Sequence, residues 1–89
     1  MPYFVYIVEC SDTSFYTGIT TNVERRVNEH NKSSRGAKYV KRRLPVKLVY
    51  FEEQDSVGDA LKREREIKGW PKTRKIKLVE SSANILLKI

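Results

Sequence analysis

Residues 3–10, YFVYIVEC, are dense in β-branched and aromatic side chains, so they predict a strand. The same chemistry returns in FYTGIT, residues 15–20, beyond the turn-prone SDTS, and the two segments predict a hairpin. Thr21 and Glu24 then stand in capping-box spacing ahead of VERRVNEHN, where Val23 and Val27 make an i,i+4 apolar pair; this is a short helix. In NKSSRGAKYVKRRLP, residues 31–45, Ser, Gly and Pro punctuate a stretch with no apolar period, which reads as a long basic loop. VKLVYFEE, residues 46–53, is a third strand.

Residues 56–68 predict a helix, with Ser56 and Asp59 as a weaker capping box and Gly69 at its end. Pro71 suits the first turn of another, PKTRKIKLVES, with Ile76 and Val79 as its buried edge, although a strand competes for this segment. The apolar tail SANILLKI packs back onto the body in a form the pattern leaves open. The order β-β-α-β-α-α predicts an α+β fold, a three-stranded, mainly antiparallel sheet flanked by helices. With 89 residues, 39% of them apolar, and no linker or repeat, the chain supports one small core and a single domain over 1–89.

Charge adds a partner to this outline. A formal net charge of +7 attracts polyanions, and nucleic acid is the expected ligand. No apolar run approaches the roughly 20 residues that span a bilayer. The N-terminus has no secretory leader pattern either, so no membrane association and a cytoplasmic location are expected. Cys10 is the only cysteine and His30 the only histidine, which excludes an internal disulfide and a Cys/His zinc set. Any metal would be held by carboxylates, phosphates and water. Between Lys32 and Lys47 lie seven Lys or Arg and no Asp or Glu. A one-signed run that includes an aromatic suits phosphate binding and base stacking, making Lys38, Tyr39, Lys41, Arg42 and Arg43 candidate nucleic-acid contacts.

A few residues break their own pattern. On the 56–68 helix, Ala60, Leu61, Glu64 and Ile67 share a stripe, which puts a carboxylate in line with core-facing positions. Such a group is paired, hydrogen-bonded or metal-bound, so Glu64 is either an edge residue bonded to an arginine or part of a site. Arg26 and His30 lie one turn apart beside Val23 and Val27, at the boundary of helix and sheet. Spacing leaves Arg26 open, whereas His30 by itself reads better as a solvated helix-end histidine facing the C-terminal dipole. Tyr3 and Tyr50 read as packing with the hydroxyl at the rim. Tyr16 differs, because Gly18 marks a place where backbone bends or something approaches closely, such as a phosphate backbone.

With those residues assembled, the chain resembles the GIY-YIG nuclease family. The two halves of that signature correspond to Phe4-Val5-Tyr6 and Tyr16-Thr17-Gly18, Arg26 matches the family's helix arginine, and DALKRERE places Glu64 at its metal-binding glutamate. The resemblance runs from residue 3 to about residue 79 and points to small stand-alone members, which lack a separate domain for choosing sequence or junction. It implies a metal-dependent endonuclease hydrolysing phosphodiester bonds, DNA ahead of RNA, in repair or recombination, with a protein partner supplying specificity. Glu64 would anchor one Mg²⁺ or Mn²⁺ ion, Arg26 would offset charge on the phosphate, Tyr6 would take the proton of the attacking water, and Tyr16 would position water or phosphate.

A free tyrosine is only roughly 0.1% phenolate at neutral pH, so Tyr6 alternatively orients the water and His30 is the second candidate for the base. The resemblance also sets a register. Tyr6 and Tyr16 share a face only if Tyr16 pairs with an even-numbered position such as Val8 or Cys10. A bend at Gly18 would then carry Tyr16 and Arg26 to the rim of one pocket beside Tyr6. There are departures: Ile19 stands where some relatives carry a lysine, Ile76 where one branch has an asparagine near the metal, and Phe4 where the signature begins with glycine. A non-catalytic nucleic-acid-binding module explains the charge and the loop equally well without Glu64 or a metal. A basic adaptor for an acidic protein is a third class, with nothing specific behind it.

Overall fold

A computed structural model describes residues 2–32 and 35–89, so Ser33 and Ser34 of the expected basic loop lie outside the described residues. Strands β1 (Tyr3–Glu9) and β2 (Phe15–Thr20) form the expected antiparallel hairpin. Its turn is closed by Cys10 N–H donating to Ser14 O at 2.8 Å, with Thr13 in the left-handed region at φ 69°. That conformation costs a β-branched residue on the order of 1 kcal/mol. Asp12 offsets it by accepting from the Ser14 amide at 3.0 Å and the Ser14 hydroxyl at 2.5 Å. Strand β3 (Lys47–Gln54) pairs antiparallel with the other side of β1, giving the sheet order β2-β1-β3.

Because strand side chains alternate, β1 sends Val5 and Ile7 to one face and Tyr6 and Val8 to the other, all of them buried. Helices α3 (Val57–Lys68) and α4 (Lys72–Val79) cover the first face, where Ala60 and Ile67 join Val5, Ile7 and Tyr50, and Trp70, Leu78 and Val79 close the edge. Helix α1 (Val23–Lys32) and the one-turn α2 (Lys38–Lys41) cover the second, where Val40 and Val46 join Tyr6, Val8 and Cys10 beneath Val23 and Val27. Two thin cores therefore share one sheet. A β-bulge opposite Ile7 and Val8 inserts Val49 into β3, so that Val49 and Tyr50 both serve the first core. Among the described residues, no helix is long and apolar enough to cross a membrane.

The architecture follows the expected layers, with local differences. Helix α1 starts one residue later than a Thr21 cap requires, and Asn22 Oδ1 instead accepts from the Arg25 amide at 3.0 Å. Ser56 caps α3 as expected, accepting from the Asp59 amide at 3.1 Å. Residues 72–79 form a helix, not a strand, and its inward side is Leu78 and Val79; Ile76 points outward, 39% exposed. Leu61 likewise leaves the α3 stripe for the surface.

The basic segment is not all loop. Val40 is buried and anchors α2, and Arg43 locks that turn by holding its guanidinium 3.8 Å from the Tyr39 ring and donating to Tyr39 O at 2.7 Å. Arg43 also pairs with Asp12 at 3.0 Å, so the countercharge missing from residues 32–47 arrives from the hairpin turn. The tail returns as a 3₁₀ turn, Ile85–Lys88, held by the buried Asn84. The Asn84 amide donates to the carbonyls of Val49, at 2.9 Å, and Val79, at 2.8 Å, and its oxygen accepts from the Leu86 amide at 3.1 Å. One polar side chain thereby ties the bulge, α4 and the tail together.

Candidate active site

The hairpin register meets the condition set above. Tyr16 pairs with Val8 and Tyr6 with Gly18, so both phenols project from the same face, their ring centres 6.5 Å apart. Gly18 neither bends the chain nor has a positive φ; it lies inside β2, buried. A Cβ there would lie 2.6 Å from the Tyr6 hydroxyl oxygen and 2.7 Å from Cζ. The close approach that the glycine permits within the chain is thus that of the Tyr6 ring, in place of the expected bend.

Helix α1 docks over this face through Val23 and Val27, and the same turn spacing delivers Arg26 and His30. His30 is not the solvated helix-end group its position suggested. It is fully buried, and its Nε2 lies 2.7 Å from the Tyr6 hydroxyl. Two neighbours enforce this placement. Asn31 clamps the helix end to the start of β3, accepting from the Val46 amide at 2.8 Å and donating to its carbonyl at 3.0 Å. Gly36 roofs the imidazole so closely that a Cβ would sit 3.1 Å from His30 Cα. Tyr16 meets the imidazole edge-on at 5.6 Å between ring centres.

The electrostatics of the pair are one-sided. Burial pushes the Tyr6 pKa up to about 12; Tyr16 and Glu64 add to the shift, and the Arg26 guanidinium opposes it. Burial also pushes His30 down to about 4, reinforced by Arg26 and opposed by Glu29. At neutral pH both groups are therefore uncharged. His30 Nδ1 is buried with no hydrogen-bond partner among the described residues. Arg26 is held at the rim, donating to Glu29 Oε1 at 3.2 Å and to the Arg35 carbonyl at 3.1 Å.

Glu64 approaches from α3, between the anchors Ala60 and Ile67, and its charge acts on Tyr6. Its side chain is 16% exposed and pairs with Lys68 at 3.6 Å, the Lys68 ammonium in turn lying 5.6 Å from the centre of the Tyr16 ring. No group of three or more His, Cys, Asp or Glu among the described residues is placed to hold a metal. A single hard carboxylate oxygen at the site matches Mg²⁺ or Mn²⁺, which keep waters and take phosphate oxygens, and does not match the closed sites of zinc.

The basic segment reaches the same place through Tyr39, stacked on Tyr16 at 6.1 Å and 25° between planes, and 41% exposed. Lys38, Lys41, Arg42 and Arg43 line an adjoining groove, in which Arg43 already serves Asp12 and Tyr39. Sequence reasoning missed Lys68, although it stands one turn after Glu64. It also missed Asn31, whose partner Val46 is 15 residues away, and Gly36, which lies against His30.

A family model of the GIY-YIG catalytic domain matches residues 2–77. A UPF0213 protein of Haloquadratum walsbyi is 54% identical over 83 residues, covering 93% of this chain and 92% of its own length. Another, from Staphylococcus haemolyticus, is 51% identical over 78 residues, covering 88% and 94%. The solution NMR structure of a UPF0213 protein from Bacillus halodurans has the same fold, with a TM-score of 0.59 and 41% identity over 93% of this chain and 87% of that one. A model spanning this much of the sequence, and relatives sharing about half its residues along nearly their whole length, make the protein a member of the GIY-YIG nuclease family.

Proposed function

We propose that the protein is a metal-dependent endonuclease that hydrolyses phosphodiester bonds, DNA ahead of RNA, with Tyr6 and His30 moving the proton of the attacking water. The observation that carries this reading is the buried 2.7 Å hydrogen bond between the Tyr6 hydroxyl and His30 Nε2, beside Arg26 and within reach of Glu64's charge. A phenol with a pKa of about 12 is ionised in roughly one molecule in 10⁵ at neutral pH, too few to serve as a standing base. A relay avoids that population. As a water oxygen attacks phosphorus in line, its proton passes to the Tyr6 oxygen while the Tyr6 proton passes to His30 Nε2, and the departing sugar oxygen takes a proton from solvent. Water and diester become a phosphate monoester and an alcohol.

Arg26 couples substrate to base. Its charge helps hold His30's proton affinity down, and a phosphate paired with Arg26 cancels that charge. Imidazole thus becomes a better acceptor once the diester is bound. Arg26 also offsets the charge that grows on the phosphoryl oxygens. Tyr16, edge-on to His30 and partly exposed, positions the water or the phosphate. Glu64 would hold a Mg²⁺ or Mn²⁺ ion, whose chemistry is to polarise a phosphate oxygen and ease departure of the leaving oxygen. A role in repair or recombination, with a partner that confers selectivity, is the setting the family suggests.

The test is incubation of the purified chain with single-stranded, duplex and branched DNA and with RNA, in Mg²⁺, Mn²⁺ or EDTA. Metal-dependent cleavage lost in Glu64→Ala with oligonucleotide binding retained is the expected result. Salt-sensitive binding to every probe without cleavage of any would identify a non-catalytic binding module instead.

A further inference from the structure

A groove of about 250 Å³ crosses β2, the edge strand of the sheet, with Phe15, Tyr16 and Thr17 as its floor. One wall is Tyr39 of α2. The opposite wall is Lys68, at the end of α3, and Lys75, on α4. Among the described residues, no carboxylate lines this groove. Helix α4 carries four basic residues and no acidic one, and Lys72 fastens it to the hairpin by donating to the Thr13 carbonyl and lying 5.0 Å from the centre of the Phe15 ring. Lys75, despite its charge, is half-buried beside the groove, and the Lys68 side chain, 48% exposed, spans from Glu64 to the face of Tyr16.

Both lysines thus bring positive charge to the aromatic floor itself. The first cationic wall, Lys38, Lys41 and Arg42, adjoins the groove on the Tyr39 side. We infer that Lys68 and Lys75 form a second phosphate-binding bank, so that a nucleic-acid strand crosses the edge strand between α2 and α4 and is gripped from both sides over Tyr16. Neither lysine belongs to the GIY-YIG signature; the inference rests on the nuclease reading only in taking nucleic acid as the ligand. A single bank attracts a strand but leaves it free to roll. Opposed banks fix where the backbone lies relative to Tyr16, and each lysine that neutralises a phosphate adds about 0.7–0.9 to the slope of log affinity against log salt.

The experiment is fluorescence anisotropy of a short labelled oligonucleotide, single-stranded and duplex, titrated in EDTA across a range of KCl. The Lys68→Gln/Lys75→Gln double variant should lose about 1.4–1.8 from the salt slope, while Lys62→Gln, on the outer side of α3, keeps the wild-type value. Circular dichroism melting checks that the variants fold. On the wild-type chain, acetylation read by mass spectrometry should show Lys68 and Lys75 protected by the oligonucleotide and Lys62 not. An unchanged slope in the double variant, or acetylation of both lysines in the complex, overturns the second bank and leaves the nuclease reading standing. A wild-type chain that binds neither probe overturns both.

Discussion

Replacing Gly18 by alanine tests the packing that positions the Tyr6 hydroxyl. The new methyl would lie 2.7 Å from Tyr6 Cζ, against a comfortable carbon–carbon separation of about 3.5–4.0 Å, so something must move by roughly 1 Å. The ring has nowhere cheap to go: Tyr6 is 1% exposed and hemmed by Tyr16 and His30, with ring centres at 6.5 and 5.9 Å. Overpacking costs about 1–3 kcal/mol and loss of the His30 hydrogen bond about 0.5–1.5, while alanine in a strand returns about 0.5–1 relative to glycine. The net is a destabilisation near ~2 kcal/mol, or a melting temperature lower by about 8–16 °C in a domain of this size. Urea denaturation of the wild type, Gly18→Ala, Tyr6→Leu and the double variant isolates the cause. With the ring gone the methyl occupies vacated space, so Gly18→Ala should cost less than about 0.5 kcal/mol in the Tyr6→Leu background. Equal costs in both backgrounds would refute the ring as the reason for the glycine. A Gly18→Ala protein as stable as the wild type but weaker in oligonucleotide binding would restore the ligand explanation.

His30 sets a pH dependence. Its folded pKa of about 4 lies below the ordinary 6.5, so the unfolded chain takes up the proton first. The stability it protects is whole above about pH 6.5 and is lost as pH falls from there through 4, by up to about 3 kcal/mol. Urea titrations should therefore show any stability advantage of wild type over His30→Gln shrinking across that window; a constant difference would contradict the buried, neutral imidazole. Tyr6→Phe leaves His30 Nε2 without its partner, costing about 1–3 kcal/mol, and under the relay it lowers the cleavage rate by about 10²–10⁴ at unchanged oligonucleotide affinity. Full turnover in that variant removes Tyr6 from the chemistry. Asn84→Ala strands the Val49 and Val79 carbonyls and should destabilise by about 2–4 kcal/mol in urea denaturation, and a cost under about 0.5 would show water serving them as well.

The layers were legible because they are written locally. Two runs of β-branched and aromatic residues around SDTS, the Val23/Val27 pair and the Ser56 cap each depend on neighbours a few positions away. Of the candidate site, Glu64, Arg26 and Tyr16 stand out by breaking their local pattern, Tyr6 enters through the resemblance to a family signature, and the even-numbered pairing of Tyr16 is a requirement that the strands meet. His30 was misread as solvated because no pattern announces the contacts that bury it: Asn31 holds the helix end to Val46, 15 residues on, and Gly36 lies over the imidazole. The expected bend at Gly18 is absent for a related reason. A glycine in a strand signals a close approach without naming what approaches, and the visitor is a side chain on the neighbouring strand. The one-turn helix α2 escaped notice because a single buried residue, Val40, cannot generate a period. Asn84 is a polar residue in an apolar tail, and its worth lies in the Val49 carbonyl, distant in sequence and at the bulge, and the Val79 carbonyl at the end of α4.

Glu64 belongs to a helix anchored in one core, whereas the phenols, the imidazole and the guanidinium gather on the opposite side of the sheet. During synthesis, a chain emerged only through residue 54 already carries every other member of the group but not its carboxylate. The carboxylate therefore joins the other four side chains only when the layer that carries it docks.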